Sequence, residues 1–414
     1  MTLKMKLTST ICAFLLILGL TIMGVMAAPS ATVNLGGSIS FSSTNVYAKV
    51  TGTIEGTSST TQPELDEIYI DNETVDGDID TWSSQDLTFK NDGSEITISV
   101  TVENLATDRP LYVSTLDTVG KVDNVSKNIE NPAFVLGEKG SGNESKTITI
   151  TLNVSNKNKS LASEAIYGYE FELLDESAVL STDDEAFENK LIFPESSYDE
   201  TYHTISVVSA GVNYDGDPSE NTYNLTGDVV IPAYVNYNDV ICSVDTIGSF
   251  AFGFPEAEGC NLNSLTIPCT VKTILSCAFS NCTITNGIYI PDSVTTLGEN
   301  AFNCAKFSTI EIPNSVIHIE GGSFNGCEAE NIVLPNNGQI TKIMYETFIG
   351  CDKLKTITIP NSVKEIEKNA FQSCSALTDV YFTGSEAEWD AITINETGND
   401  VLSTATIHFN STGV

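Results

Sequence analysis

Six times between Val244 and Phe371 the chain repeats one spacing: an aliphatic residue, Ile or Leu three positions on, and Phe five positions after that. The instances are Val244/Ile247/Phe252, Val271/Ile274/Phe279, Val294/Leu297/Phe302, Val316/Ile319/Phe324, Ile340/Ile343/Phe348 and Val363/Ile366/Phe371. Between them runs an apolar pair closed by proline, as in Leu265-Thr-Ile267-Pro268, Ile288-Tyr-Ile290-Pro291 and Ile357-Thr-Ile359-Pro360. Self-similarity at a period of about 23 residues marks a solenoid, whose units bury their apolar edges only against one another. Apolar residues two apart point to one face of a strand, and parallel neighbours stack ~4.8 Å apart, so six rungs give an apolar spine about 25 to 30 Å long. Proline ends each strand's pairing, and the Asn-Ser or Asp-Ser after it begins a turn. The recurring Phe is expected to fill the wide end of each coil.

The first 27 residues read as an address. Lys4 and Lys6 precede an apolar run from Ile11 to Met26, and Val25-Met26-Ala27 places small residues where signal peptidase cuts. Secretion with cleavage after Ala27 is the expectation; an uncleaved membrane anchor is the alternative. The chain carries 55 acidic and 19 basic side chains, a formal charge of −36, with Arg109 its single arginine. So negative a surface repels phosphate backbones, because nucleic-acid binding needs Lys and Arg to displace counterions. Nucleic acid is thereby excluded as a partner, and a membrane enters only through a retained signal anchor.

From Val33 to Leu174 the reading is all-β. Ile96-x-Ile98-x-Val100-x-Val102, Ile148-x-Ile150-x-Leu152-x-Val154 and Tyr167-x-Tyr169-x-Phe171-x-Leu173 alternate as strands with one buried face do. Polar clusters such as Asn91-Asp92-Gly93-Ser94 separate them. Strands at this spacing imply a β-sandwich of immunoglobulin-like shape. The stretch from Ala31 to Ile54 resembles the opening of secreted camelysin-like and biofilm-fibre proteins of Gram-positive bacteria. Residues 175–201 are acidic and mixed, and read as a solvated linker.

Ile-Pro-Asn-Ser-Val at Ile312 to Val316 and Ile359 to Val363, Leu-Gly-Glu-Asn-Ala-Phe-Asn-Cys at Leu297 to Cys304, and Lys-Leu-Lys-Thr-Ile-Thr-Ile-Pro at Lys353 to Pro360 resemble the BspA-type leucine-rich repeat family. The segment Val380 to Ile392, with Thr406-Ile-His-Phe after it, resembles the cap that finishes many such arrays. The resemblance implies secreted or surface-attached bacterial proteins that bind host or microbial ligands, with no shared enzymatic activity. The chain thus reads as mainly β: signal peptide 1–27, β-sandwich 28–174, acidic linker 175–201, a cap opening the solenoid over 202–247, leucine-rich repeats 248–383, and a C-terminal cap 384–414. Within that last cap, Ser385-Glu-Ala-Glu388 reads as a capping box for a short helix carrying Trp389.

Nine cysteines follow the signal segment. Cys282, Cys304, Cys327, Cys351 and Cys374 recur shortly after the repeat Phe and read as a ladder of buried thiols rather than a metal site. Cys260 takes the ladder position one rung before Cys282. Cys242 and Cys269 each lie two residues before a repeat Val, which would set them on adjacent rungs and allow a disulfide.

Catalytic constellations are absent. His203, His318 and His408 are scattered, His318 falls at an outward position, and no P-loop, zinc-protease helix, nucleophile elbow or dinucleotide fingerprint occurs. No cofactor is implied. The one metal candidate is calcium at Asp71, Asp76, Asp78 and Asp80 around Gly77, whose order departs from the EF-hand pattern. A binding surface is sought instead in the residues between the inward strand positions: Thr266, Tyr289, Glu311, Val333, Thr358 and Tyr381. Alternation directs these outward onto one face, where rigidly held aromatics make good anchors. The expected function is adhesion at the cell surface or after secretion, to an extracellular protein or glycan, without enzymatic activity. The alternative is a matrix or biofilm component that polymerises through its N-terminal β-domain.

Overall fold

The computed structural model describes residues 32–41, 46–56, 64–70, 77–88, 95–117, 125–130, 133–154, 166–174, 179, 191–192, 204–209, 225–253, 259–307 and 309–411. The signal segment lies outside these, as do Asp71 and Asp76 and the side chains of Asp78 and Asp80, so the calcium candidate has no described geometry. Among the described residues no helix is long and apolar enough to cross a membrane.

Among the described residues ten strands build the N-terminal domain: β1 (Thr32–Phe41), β2 (Ala48–Glu55), β3 (Glu64–Ile70), β4 (Gly77–Thr88), β5 (Glu95–Asn104), β6 (Leu111–Asp117), β7 (Val125–Glu130), β8 (Ala133–Leu136), β9 (Ser145–Val154) and β10 (Ile166–Leu174). They form two five-stranded sheets, ordered β4-β1-β10-β6-β8 and β3-β2-β5-β9-β7. The alternation in β5 and β9 does what the sequence pattern demands: Ile96, Ile98, Val100 and Val102 pack inward with Ile148, Ile150 and Leu152. Leu111, Val113, Phe134, Leu136 and Leu173 meet them from the other sheet, so both sheets share one core. The immunoglobulin-like expectation requires correction. An immunoglobulin sandwich keeps several consecutive strands in one sheet as hairpins. Here every step from β4 to β10 crosses to the opposite sheet, and β1 runs parallel to β10.

The acidic linker is also not wholly solvated. Val179 packs with Leu174, Ala233 and Tyr234, and Leu191 joins the solenoid core. The solenoid accordingly begins earlier than its repeats, with β11 (Leu191–Ile192), β12 (Thr204–Ser209), β13 (Thr226–Val230), β14 (Tyr234–Tyr237) and β15 (Val240–Ile247). Asn238 and Asp239, with φ of 50° and 63°, turn β14 into β15, the left-handed pair that a two-residue hairpin requires.

From there the chain coils between two parallel stacks. One runs through β13, Asn261–Thr266 and Thr283–Ile284, then resumes at Ile288–Tyr289, Thr309–Glu311, Asn331–Val333, Thr356–Ile359, Asp379–Phe382 and Thr406–Phe409. The other runs through β12, β15, Thr273–Ile274, Thr296–Leu297 and His318–Ile319, then resumes at Lys342–Ile343, Glu365–Ile366 and Thr393–Ile394. At the third corner the repeat phenylalanines form one column. Phe252, Phe279, Phe302, Phe324, Phe348 and Phe371 are fully buried, with successive ring centroids 5.1, 5.3, 5.4, 5.7 and 5.2 Å apart.

Among the described residues, left-handed ones flank the repeat phenylalanines, one before each and a second after all but the first. Two positions before it stand Phe250, Cys277, Asn300, Gly322, Glu346 and Asn369, and two positions after the last five stand Asn281, Cys304, Gly326, Gly350 and Ser373, all at positive φ. These paired reversals let the chain turn sharply enough for the ring to point inward. At the far end α1 (Glu386–Trp389) starts at the expected capping box: Ser385 N–H donates to Glu388 Oε2 at 2.8 Å, and Glu388 N–H donates to Ser385 Oγ at 3.4 Å. Trp389 then sets its ring against the edge of Phe382, at 5.3 Å between centroids.

Candidate functional site

The parallel register brings the expected outward residues into one row. Tyr289 pairs with Glu311, Glu311 with Val333, Val333 with Thr358, and Thr358 with Tyr381. Thr266 precedes Tyr289 beside the same cleft, with Val230 paired to it from the rung before. The row also continues one rung further than the sequence reading took it, because Tyr381 pairs with His408. That signal was present: Thr406-Ile-His-Phe repeats the pattern of Asp379-Val-Tyr-Phe, and so places His408 opposite Tyr381.

The face is less open than alternation alone implies. Thr266, Tyr289, Val333 and Tyr381 are half-buried, and Thr358 is 5 % exposed. Its small side chain sits between the larger Val333 and Tyr381 in register, and the expectation that it projects freely is corrected. Glu311 belongs to the row by its backbone, while its side chain lies outside the described residues. At the N-terminal end the cover comes from the chain itself. Thr115 of β6 and Ile129 of β7 line a cleft with Leu265, Thr266, Cys269, Tyr289 and Asp292, about 70 Å³ in volume, room for a few waters and no more. The two domains meet there through Thr115 N–H donating to Cys269 Sγ at 3.4 Å and Tyr234 Oη donating to Val113 O at 3.3 Å. Tyr112 adds an edge-on contact to Tyr234, 5.4 Å between rings.

The C-terminal end of the row has a different character. Tyr381 and His408 stack at 4.6 Å with planes 14° apart, and the His408 ring nitrogen Nε2 meets Asp379 Oδ1 at 2.7 Å. Thr378 Oγ1 donates to the other oxygen, Oδ2, also at 2.7 Å. The bond from His408 and then that from Thr378 hold the Asp379 carboxyl below the usual carboxylate range. Two aromatic rings and a carboxylate are thus fixed on one rigid surface. This geometry offers a ligand two ring faces for stacking and a carboxylate for hydrogen bonding.

The cysteines divide differently from expectation. All nine among the described residues are thiols. Cys242 and Cys269 form no disulfide, because their surroundings differ: Cys242 is inside β15, paired with Val235, whereas Cys269 lies beyond Pro268 with its sulfur toward β6. The buried ladder runs Cys260, Cys282, Ala305, Cys327, Cys351 and Cys374. Cys304 stands one residue too early to join it; it is half-exposed and occupies the left-handed position that Gly326 fills one rung later. His318 is exposed, as expected. Among the described residues no group of three or more metal-ligating side chains comes together.

Residues 236–343 and 300–408 match the family described as BspA type Leucine rich repeat region, in six copies, so the solenoid is an array of BspA-type leucine-rich repeats. No curated protein matches the chain. Among solved structures, a leucine-rich repeat protein from Bacteroides ovatus is similar at 21 % identity and TM-score 0.32, over 54 % of this chain and 70 % of that one. The T. pallidum leucine-rich repeat protein is similar at 14 % identity and TM-score 0.31, over 53 % and 99 %. A leucine-rich cell surface protein from Faecalibacterium prausnitzii shares 15 % identity with TM-score 0.18, over 49 % and 95 %.

Proposed function

We propose that this chain is a secreted or surface-held bacterial adhesin-like protein, non-enzymatic, whose solenoid face binds an extracellular protein or glycan. The observation that carries the reading is the stacked Tyr381–His408 pair, fixed by Asp379 at the uncovered end of the outward row. A ring held between neighbouring strands loses little conformational freedom on binding, which is what makes aromatics on rigid sheets effective anchors. Val333 extends that surface toward Glu311, with Thr358 packed beneath it, while Thr266 and Tyr289 act from beneath the N-terminal domain and shape its boundary. The signal segment and the BspA-type repeats support the placement outside the cell.

The test is capture of the full chain on arrays of purified matrix proteins and glycans, comparing wild type with Tyr381→Ala and with Tyr289→Ala/Tyr381→Ala. Loss of a hot-spot aromatic should weaken binding by about 2 kcal/mol, roughly thirtyfold. Tyr381→Ala alone is expected to give most of that loss. Equal retention of all three proteins would place the ligand elsewhere.

A further inference from the structure

The ladder brings sulfurs together in a way that the binding face does not explain. Cys327 and Cys351 stand three residues after Phe324 and Phe348, and their Sγ atoms are 3.7 Å apart with both side chains fully buried. The rungs are tied immediately beside them, Phe324 N–H donating to Thr347 O at 3.0 Å and Gly326 N–H to Ile349 O at 2.7 Å. Gly326 and Gly350 precede the two cysteines in the same left-handed conformation, and each cysteine N–H donates back to its own rung's Phe carbonyl, at 3.1 and 3.2 Å. Equivalent backbones on neighbouring rungs set the two Cβ atoms side by side. Neighbouring parallel strands lie ~4.8 Å apart, inside the Cα range a disulfide spans. Closing the pair brings sulfurs 3.7 Å apart to bonding distance and gives up the bond from Cys351 Sγ to Phe324 O.

We propose that Cys327 and Cys351 are a redox pair, reduced in the form described here and closed to an inter-rung disulfide by a low-molecular-weight disulfide. The Cys327 thiolate attacks one sulfur of that oxidant, forming a mixed disulfide and releasing one small thiol. The Cys351 sulfur then attacks Cys327 Sγ, the Cys351 proton leaves with the second small thiol, and the Sγ–Sγ bond forms. Two protein thiols lose two electrons and the oxidant is reduced to two thiols. The neighbours do not compete equally. Above Cys282 the ladder is interrupted by Ala305, which leaves Cys374 as the competing thiol: its Sγ bonds Phe348 O at 3.0 Å, as Cys351 Sγ bonds Phe324 O at 2.9 Å, and it meets Cys351 from the far side. Burial confines the exchange to folding or to transient opening of the two rungs.

The full chain, reduced and unfolded in denaturant, is refolded in a buffer of oxidised and reduced glutathione, alkylated, digested and mapped by mass spectrometry. The expected product is a Cys327–Cys351 peptide pair, lighter by about 2 Da than its two reduced peptides together. The link persists in Cys374→Ala and disappears in Cys327→Ala, a substitution the ladder already accommodates at Ala305. The oxidised chain is also expected to unfold at a higher denaturant concentration than the reduced one. Complete alkylation of both residues in the refolded wild type, or a link joining Cys351 to Cys374 instead, overturns the assignment.

Discussion

The side-chain carbonyl of Asn399 accepts the main-chain N–H of Phe371 at 2.9 Å, and so stands where a seventh rung would have placed a backbone carbonyl. Every earlier repeat Phe donates the same N–H to the rung that follows: Phe252 to Ala278, Phe279 to Ala301, Phe302 to Ser323, Phe324 to Thr347 and Phe348 to Ala370. The Asn399 amide completes the substitution by donating to Glu367 O at 2.8 Å and Asn395 O at 2.7 Å. A repeat array must end without exposing its ladder, and one buried asparagine does this for the Phe corner.

Replacing Asn399 by Ala leaves one buried N–H and two carbonyls without these partners. The expected cost is about 1 to 3 kcal/mol, read as a lower midpoint in urea unfolding of the full chain. Asn399→Asp keeps an acceptor for Phe371 but turns a carboxylate toward two carbonyls. It should be at least as destabilising at neutral pH and partly recover as the carboxyl protonates. An unchanged midpoint for Asn399→Ala would mean that water closes the last rung equally well.

The phenylalanine column predicts a position-dependent cost. Phe302 is stacked on both faces, by Phe279 at 5.3 Å and Phe324 at 5.4 Å, and meets the edge of Phe307 at 5.9 Å. Phe302→Ala opens a void inside an unbroken column and should cost about 3 to 5 kcal/mol. Phe252 has a single stacked neighbour, Phe279, in that column. Phe252→Ala is therefore expected to cost less. Equal losses in denaturant unfolding would show that the column does not act as a stack.

Tyr345 crosses a rung to reach its partner. Its hydroxyl donates to Glu299 Oε1 at 3.0 Å, and its ring lies over Gly321, where an added Cβ would meet the ring at 2.6 Å. Gly321→Ala should displace the ring, break that bond and cost about 1 kcal/mol. In a Tyr345→Ala background the same substitution should be close to neutral. Additive losses in this double-mutant cycle would sink the explanation.

How much of this was legible in the sequence depends on the range of the chemistry involved. Phe252 to Phe371 and the Ser385–Glu388 box act through neighbours in their own or the next rung, so spacing revealed them. The left-handed residues were only half visible. Asn300, Gly322, Gly326 and Gly350 carry the signature of that conformation, whereas Cys277, Cys304 and Glu346 adopt it because the coil imposes it. Counting Cys304 as a ladder thiol failed for this reason, since one residue of offset moves it from the core to the turn. The cover over Thr266 and Tyr289 was not legible. Thr115 is 154 residues from Cys269, and no local pattern in either segment encodes that meeting. Strand alternation likewise showed a sandwich without its connectivity, because alternation marks which face is buried and not which sheet the next strand joins.

Acid should loosen the C-terminal cap before the middle of the solenoid. Asp379 is held below its usual range by His408 and then Thr378, and Glu388 by the backbone N–H and then the hydroxyl of Ser385. A carboxyl whose folded pKa is depressed binds more protons when unfolded. Its contribution is therefore complete above the unfolded value and is lost as the pH falls through the lower folded one. For these two groups the window lies below about pH 4. Both are solvent-facing, so the effect should be local and weakened by salt. Hydrogen exchange at pH 6 and pH 3, corrected for the intrinsic rate, should show protection lost over residues 379–409 while the Phe302 and Phe324 rungs retain theirs. Asp379→Asn should shrink the difference in the Asp379–His408 strands and leave α1 unchanged. Uniform loss of protection along the array would instead point to the overall charge of the chain as the acid-sensitive element.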